Sequence, residues 1–347
     1  MNLDEKKNFI IENLFKKTGE RFLDPDFYDS EIYVDLCKEG KRLCLIYVSG
    51  VDFLFVDSQR RQAAAIHDQA VVLVYRGMVD HLLSLASMLS SVTPTPSVVE
   101  NTSPPWHEAS TSWLKTGPFD WKNKSYWWLH SKDHKLLFDF YLKNLFRFIV
   151  LHELGHIYHK QGWRRKSTSP TESGAEHVAP NIHEALQSND SLYNSALLAM
   201  HAREIVADTF AFCELTNICK KETTDPAETI RSLTPIACGF AASLCVAGPF
   251  FWSMGLVNEM NEDVQTNPYP THAFRLQAIE SDALRLADEI NFPHGLEILR
   301  SAMKTTVSHI EKISGDQSYL NWRLKLNNPL HVEHYNLVID EKVKLEN

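Results

Sequence analysis

Apolar residues recur every three or four positions in two stretches of the chain, which is the period of one face of an α-helix. The first stretch runs from about Leu136 to Lys160, and its aromatic and aliphatic face leads to His152. The second runs from about Leu192 to Leu215 and carries Glu204 in an otherwise apolar stripe. The pattern therefore predicts two helices that place polar side chains on a buried face.

The N-terminal part has a different pattern, with a short amphipathic helix over residues 1–20 and β-rich segments after it. Lys38–Lys41 contains a glycine between the first two β-rich segments, which is typical of a hairpin turn. Helical periodicity returns from about Gln69 to Ser91. The predicted strands are Glu31–Cys37, Arg42–Ser49 and Val51–Asp57.

Two polar segments interrupt these elements and suggest the division of the chain. Residues 92–125 hold five of the fifteen prolines, and residues 161–190 separate the two predicted motif helices. Long segments of this kind are often functional or mobile, so we expect at least one to border a cleft beside these helices. We expect an N-terminal α/β portion over 1–91, a Pro-rich loop or linker over 92–125, and a helical catalytic portion over 126–347.

Residues 235–257 carry no charge and are long enough to span a bilayer. Gly248-Pro249 is expected to divide this run into two pieces that are too short to cross, and the first piece is rich in small residues that suit close packing. A single crossing would also place Glu204 and His272, which we expect to lie near each other, on opposite sides of the membrane. We therefore predict a buried core helix and no membrane partner, with a membrane-bound enzyme as the rival interpretation.

Composition and charge narrow the function classes. The net charge of −9 argues against a nucleic-acid partner, which would need a basic face. The N-terminus lacks a basic segment followed by an apolar core, so we expect no signal peptide. The six cysteines form no Cys-x-x-Cys pair and are interpreted as reduced thiols. These features predict a cytoplasmic protein.

The chemistry is concentrated in His152-Glu153-Leu154-Gly155-His156. His152 and His156 lie one helical turn apart on one face, so they can bind one metal ion. Glu153 lies beside that pair, where a carboxylate can hold a metal-bound water and accept its proton. Gly155 allows another backbone to approach closely.

Catalytic zinc usually has three protein ligands and one open position. In the second helix, Glu204 and Asp208 are acidic residues on an apolar face, which is costly unless they are paired or bind metal. We predict Glu204 as the third ligand of a single Zn²⁺ ion and Asp208 as the acceptor for a ligand histidine. His201 remains an alternative ligand. His159, His177 and His183 are expected to stay outside the site.

His-Glu-x-x-His followed by Glu-x-x-x-Asp resembles the gluzincin metallopeptidases. The form Glu204-Ile205-Val206-Ala207-Asp208 is similar to the branch with the CaaX prenyl endopeptidases, the HtpX-like peptidases and their soluble relatives. It also resembles the Lit-type phage-exclusion peptidases. The resemblance covers about a sixth of the chain and implies a zincin-like fold and peptide-bond hydrolysis.

A third segment, Asn267–Arg275, is similar to the His-Pro…Arg segment downstream in that branch, although no proline follows His272 here. The resemblance implies a histidine or arginine near the metal. A donor there would stabilise negative charge on the substrate oxygen. His272 is the candidate catalytic residue, with a structural role as the alternative, and Tyr269 and Arg275 are possible oxyanion or substrate contacts.

These observations predict an α+β, zincin-like protein with a mainly helical body and a small antiparallel β element near the N-terminus. The predicted function is a zinc-dependent peptidase whose Glu153 activates water, acting on a protein or peptide substrate that pairs with an edge strand. The alternative is a zincin scaffold that regulates or binds partners without proteolytic turnover.

Overall fold

The computed structural model describes residues 2–24, 31–93, 131–160, 190–222, 234–257, 270–289, 294–314, 318–327 and 329–346. These ranges leave out most of the predicted Pro-rich loop over 92–125. They also leave out residues 161–189, which include His177 and His183, and they leave out Tyr269. The N-terminal helices are α1 (Leu3–Ile10, continued by the π-helical Ile11–Phe15 and by Lys16–Thr18), α2 (Glu31–Tyr47) and α3 (Arg76–Val92). The strands are β1 (Phe22–Leu23), β2 (Asp52–Val56), β3 (Ala63–Ile66) and β4 (Val71–Tyr75).

The rest of the described chain is helical, as the sequence predicts. The two motif helices are longer than expected at most of their ends, because the apolar stripe alone does not mark where flanking polar residues continue a helix. The helices are α4 (Lys132–Tyr158), α5 (Asp190–Glu222), α6 (Thr234–Val257), α7 (His272–Glu289), α8 (Gly295–Ser314), α9 (Ser318–Leu324) and α10 (Pro329–Glu346).

The sheet is mixed, which corrects the predicted antiparallel element. Its strand order is β1-β2-β4-β3. β4 pairs antiparallel with β3 and parallel with β2, while β1 pairs antiparallel with β2. β4 is thus inserted between β2 and β3, and all five of its residues are buried, as expected of a strand with neighbours on both edges.

The predicted strands Glu31–Cys37 and Arg42–Ser49 are wrong, because both fall almost entirely in helix α2. The supposed turn Lys38–Lys41 lies in the middle of that helix. Gly40 is required there by packing, since a Cβ atom would come within 2.7 Å of the Phe53 ring. The buried side chains recur at helical spacing, at Tyr33, Leu36, Cys37, Gly40, Leu43 and Cys44.

The prediction of a helix over Gln69–Ser91 is partly wrong, because its first residues form β4 and the helix begins at Arg76. A short, continuously apolar run does not distinguish a buried strand from a buried helix. The prediction of a strand over Val51–Asp57 is confirmed by β2.

Helix α6 confirms the predicted buried helix but not the break at Gly248-Pro249. Pro249 lies inside one continuous helix, between Thr234 and Val257. The neighbouring Phe251 and Trp252 are almost fully buried, so tertiary packing outweighs the backbone hydrogen bond that proline removes. Within the described residues, no helix is both long and apolar enough to cross a membrane.

One apolar core joins the sheet to the helices and places the motif helix on the sheet. Phe146 of α4 contacts Phe53 and Phe55 of β2, with ring centroids 5.8 and 6.1 Å away. α4 also packs against α3 and α5. Because α4 is held on several sides, the side chains at its C-terminal end have defined positions.

Candidate metal centre

The close approach of α4 and α5 at Gly155 is the local basis of the site. A Cβ atom on Gly155 would lie 3.1 Å from the Cα of Ala207 and 3.2 Å from both its carbonyl oxygen and the Cβ of Phe210. Glycine therefore lets the two helices pack with backbone nearly against backbone, as the sequence predicts. This contact brings the histidines of α4 opposite the acidic residues of α5.

The structure brings His152, His156 and Glu204 together, all three buried. The Nε2 atoms of the two histidines are 3.1 Å apart. The Glu204 carboxylate lies 3.4 Å from Nε2 of His152 through Oε2, and 3.5 Å from Nε2 of His156 through Oε1. Among the described residues, these three form the group able to hold a metal ion.

These separations can be compared with those of a zinc site. Ligand bonds of about 2.0–2.1 Å in a tetrahedron place ligand atoms about 3.3–3.4 Å from each other. The observed separations of 3.1, 3.4 and 3.5 Å lie close to that value. Two imidazoles and one carboxylate are also a donor set typical of catalytic zinc, so the residues present suit the ion.

Asp208 lies behind His152 and sets its tautomer. Its Oδ1 is 2.9 Å from Nδ1 of His152. When the neutral ring carries its proton on Nδ1, this N–H donates to Asp208. The Nε2 lone pair is then left for a metal. Burial tends to lower the pKa of His152, but the charge of Asp208 and the hydrogen bonds to Asp208 and Glu204 together outweigh it and raise that pKa to about 10.

The positive charge of Arg275 partly neutralises the acidic side chains of the site. Its Nε and Nη2 atoms donate to the two carboxylate oxygens of Asp208, each at 2.7 Å, and its Nη1 lies 3.5 Å from Glu204. Burial tends to raise the pKa of Asp208, but the charges of Arg275 and His152 hold it below its usual value. The pKa of Glu204 is likewise lowered, because nearby His156, His152 and Arg275 outweigh burial.

Glu153, the predicted base, is buried at 5% exposure on the motif helix. It is close enough for its charge to help raise the pKa values of Arg275 and of Tyr75, although burial and other neighbours act more strongly on both. Tyr75 ends strand β4. The Glu153 charge is therefore within electrostatic reach of Arg275 and of the last residue of β4.

Of the candidate residues predicted in Asn267–Arg275, the structure describes Arg275 and His272, and these two make different contacts. Arg275 reaches the ligand group, but as the bidentate partner of Asp208. His272 begins α7 and stacks on Phe251 at a centroid distance of 6.0 Å. Burial and then the charge of Arg275 lower its pKa to about 3, so it is neutral. Tyr269 lies outside the described residues.

Two other histidines considered from the sequence, His201 and His159, are placed outside the ligand group. His201 Nδ1 lies 3.0 Å from His334 Nε2 on α10, and His201 does not belong to the metal-binding group. His159 lies beside the Phe210 ring at 5.9 Å. One residue near the site was not singled out from the sequence. His67, beyond β3, has its ring centroid 6.4 Å from that of His156.

No protein-family model matches the chain, and neither a curated protein nor a solved structure does.

Proposed function

We propose that the chain is a cytoplasmic zinc-dependent peptidase of the gluzincin type, with a zincin-like fold, that hydrolyses a peptide bond in a protein or peptide substrate. The observation that supports this most directly is the buried group of His152, His156 and Glu204, with separations near those of tetrahedral zinc ligands. None of the described cysteines Cys37, Cys44, Cys213, Cys219 and Cys245 forms a disulfide, which suits a reducing compartment.

The chain's own residues take distinct parts in the proposed reaction. His152, His156 and Glu204 would hold the ion, which supplies Lewis acidity and lowers the pKa of a nearby water when bound. The Glu153 carboxylate accepts a proton from the attacking water and passes it to the leaving amine. Asp208 keeps His152 in the tautomer whose Nε2 faces Glu204.

The sheet offers a place for the substrate backbone. β3 is an outer strand of the sheet, and it packs against α4. Glu153 and His156 lie on that helix, and His67 follows β3 directly. An extended peptide pairing with β3 would run past the ligand group, which is a common way of binding peptides.

One observation favours a second function, a zincin scaffold without proteolytic turnover. The ligand group is deeply buried, with 9% exposure for His152, 4% for Glu204 and 0% for His156. A buried metal can serve folding alone. Such a site normally has four protein ligands, whereas the described group contains three, so the peptidase remains the better supported function.

Glu153→Gln tests the proposal. The variant should bind one zinc per chain, because Glu153 is not a ligand, yet lose hydrolysis by about 100-fold or more. Metal content is measured by mass spectrometry. Hydrolysis is measured with casein and with a mixed peptide library as substrates. Glu297→Gln is the control, since Glu297 lies in α8 with an exposed side chain (76%).

Two results would contradict the proposal in different ways. Parental hydrolysis by Glu153→Gln would remove Glu153 from the mechanism. Wild-type protein that binds zinc but cleaves none of the peptides would favour the scaffold.

A further inference from the structure

His67 lies near one member of the ligand group, His156, and belongs to a turn of the sheet. It is the first residue of a single 3₁₀ turn, His67–Gln69, between β3 and β4. Its ring lies nearly perpendicular to that of His156, at an interplanar angle of 78° and a centroid distance of 6.4 Å. The residue is half-buried and its Nε2 atom is buried. An imidazole thus lies beside the proposed metal centre without belonging to its ligands.

The turn that carries His67 is held from several directions. The Ala70 amide donates to the His67 carbonyl at 3.2 Å, and the Asp52 amide donates to the Ala70 carbonyl at 3.0 Å. The buried Lys6 ammonium binds Asp52 at 2.7 Å and the Gly50 carbonyl at 2.9 Å. Because strands and α1 both fix this turn, the His67 ring is presented in a defined place, as a catalytic donor requires.

The distance between the His67 and His156 rings limits the contacts that His67 can make. Ring nitrogens extend about 1.1 Å from the centroid, so nitrogen atoms of His67 and His156 are at least about 4 Å apart, too far for a direct hydrogen bond. His67 also lies outside the group whose atoms could hold a metal. A separation of this size can accommodate one oxygen atom that accepts a hydrogen bond from His67.

We propose that an imidazole N–H of His67 donates a hydrogen bond to the oxygen of the scissile carbonyl. As water adds to the carbonyl carbon, the C=O π electron pair moves to that oxygen, and the His67 N–H stabilises the growing charge without transferring its proton. This assignment rests on the proposed peptidase function.

Two of the donors suggested by the sequence already contact other side chains. Arg275 is bound to Asp208 through two of its nitrogens. His272 stacks on Phe251. His67 instead comes from the turn that directly follows β3, the strand proposed to pair with the substrate backbone. A peptide paired there would carry its carbonyl oxygens past the His67 ring.

The experiment uses the full chain loaded with Co²⁺, whose visible spectrum reports ligands at the metal, and acetohydroxamate as the probe. One oxygen of this probe takes the place of the carbonyl oxygen. His67→Phe keeps a planar ring without a donor, and His67→Gln keeps a donor. His294→Ala is the control, because His294 is exposed and pairs with Glu297.

His67→Phe should bind Co²⁺ as the wild type does but bind acetohydroxamate about tenfold more weakly or worse. His67→Gln should recover part of that loss, and His294→Ala should match the wild type. With a cleaved peptide, His67→Phe should lower kcat about 100-fold with little change in KM.

Equal acetohydroxamate affinity in all variants would overturn the assignment. A fall in Co²⁺ affinity itself would overturn it too, because His67 would then be a ligand. Wild-type protein that binds Co²⁺ and the probe but cleaves no peptide would refute the peptidase function alone, and the probe series would still decide the position of the His67 donor. Failure of the wild type to bind metal would overturn both.

Discussion

Gly155→Ala tests whether the close contact between α4 and α5 sets the geometry of the metal centre. The added methyl group would lie 3.1 Å from the Ala207 Cα and 3.2 Å from the Phe210 Cβ. Both distances are shorter than ordinary van der Waals contact, and the nearest atom belongs to backbone. The helices must therefore separate by a few tenths of an ångström. Such a shift moves His152 and His156 away from Glu204.

Two opposing effects determine the size of the change. Alanine favours the helix over glycine by about 1 kcal/mol, whereas overpacking a tight interface costs about 1–3 kcal/mol. The metal-free protein should lose about 0–2 kcal/mol of its free energy of unfolding as a result. Zinc ligands tolerate deviations of only about 0.2 Å, so zinc affinity should fall further, by about tenfold or more.

Zinc affinity is measured by competition with a chelator of known affinity, and stability by thermal unfolding with and without zinc. Gly40→Ala is the matched control. It gains the same helix propensity and overpacks against Phe53 of β2, away from the ligand group. We expect it to lower stability while zinc affinity changes less than about twofold.

A Gly155→Ala protein with wild-type zinc affinity would refute this reasoning, because the helix contact would then not control the ligand separations. Equal losses of zinc affinity in Gly155→Ala and Gly40→Ala would also contradict it, since a general loss of stability would explain both.

Two further predictions concern charges. Asp208→Asn should weaken zinc binding about 10–100-fold, because it removes the carboxylate facing His152 Nδ1; competition titration measures this, and unchanged affinity would contradict it. Burial raises the pKa of Glu39, but Arg42 and Arg147 outweigh it and lower the pKa from 4.5 to about 2. Because the folded-state pKa is depressed, the stability that Glu39 contributes is present above about pH 4.5 and lost as pH falls toward 2. Glu39→Gln should lower stability at neutral pH by about 1–3 kcal/mol and flatten this acid limb, as urea unfolding across pH would show.

The placement of the candidate ligand group was within reach of sequence reasoning because it depends on local geometry. Two histidines four residues apart share a helix face wherever that helix lies. Glu204 was predictable for a different reason, since a carboxylate in an apolar helical stripe needs a partner. Both arguments use periodicity and the cost of burial, which do not depend on the rest of the fold.

The sheet was harder to predict because its pairing joins residues distant in the chain. Nothing local in Val71–Tyr75 shows that β4 pairs parallel with β2. Helix α2 was missed because Gly40 is a turn former in isolation, and its packing against Phe53 becomes evident only in three dimensions. The proximity of His67 to His156 depends on the same long-range pairing, so the sequence offered no signal for it.

The charges of the site also support the proposal that it binds a divalent cation. In formal charges, Glu153, Glu204 and Asp208 contribute −3 and Arg275 contributes +1, which leaves −2 for these four buried side chains. Uncompensated charge in a buried site is costly, and one Zn²⁺ ion would bring the sum to zero. A proton competes for the same role, because burial lowers the pKa of His152 but Asp208 and Glu204 together outweigh it and raise that pKa to about 10. Zinc must displace that proton, so its affinity should increase as pH rises toward the His152 pKa.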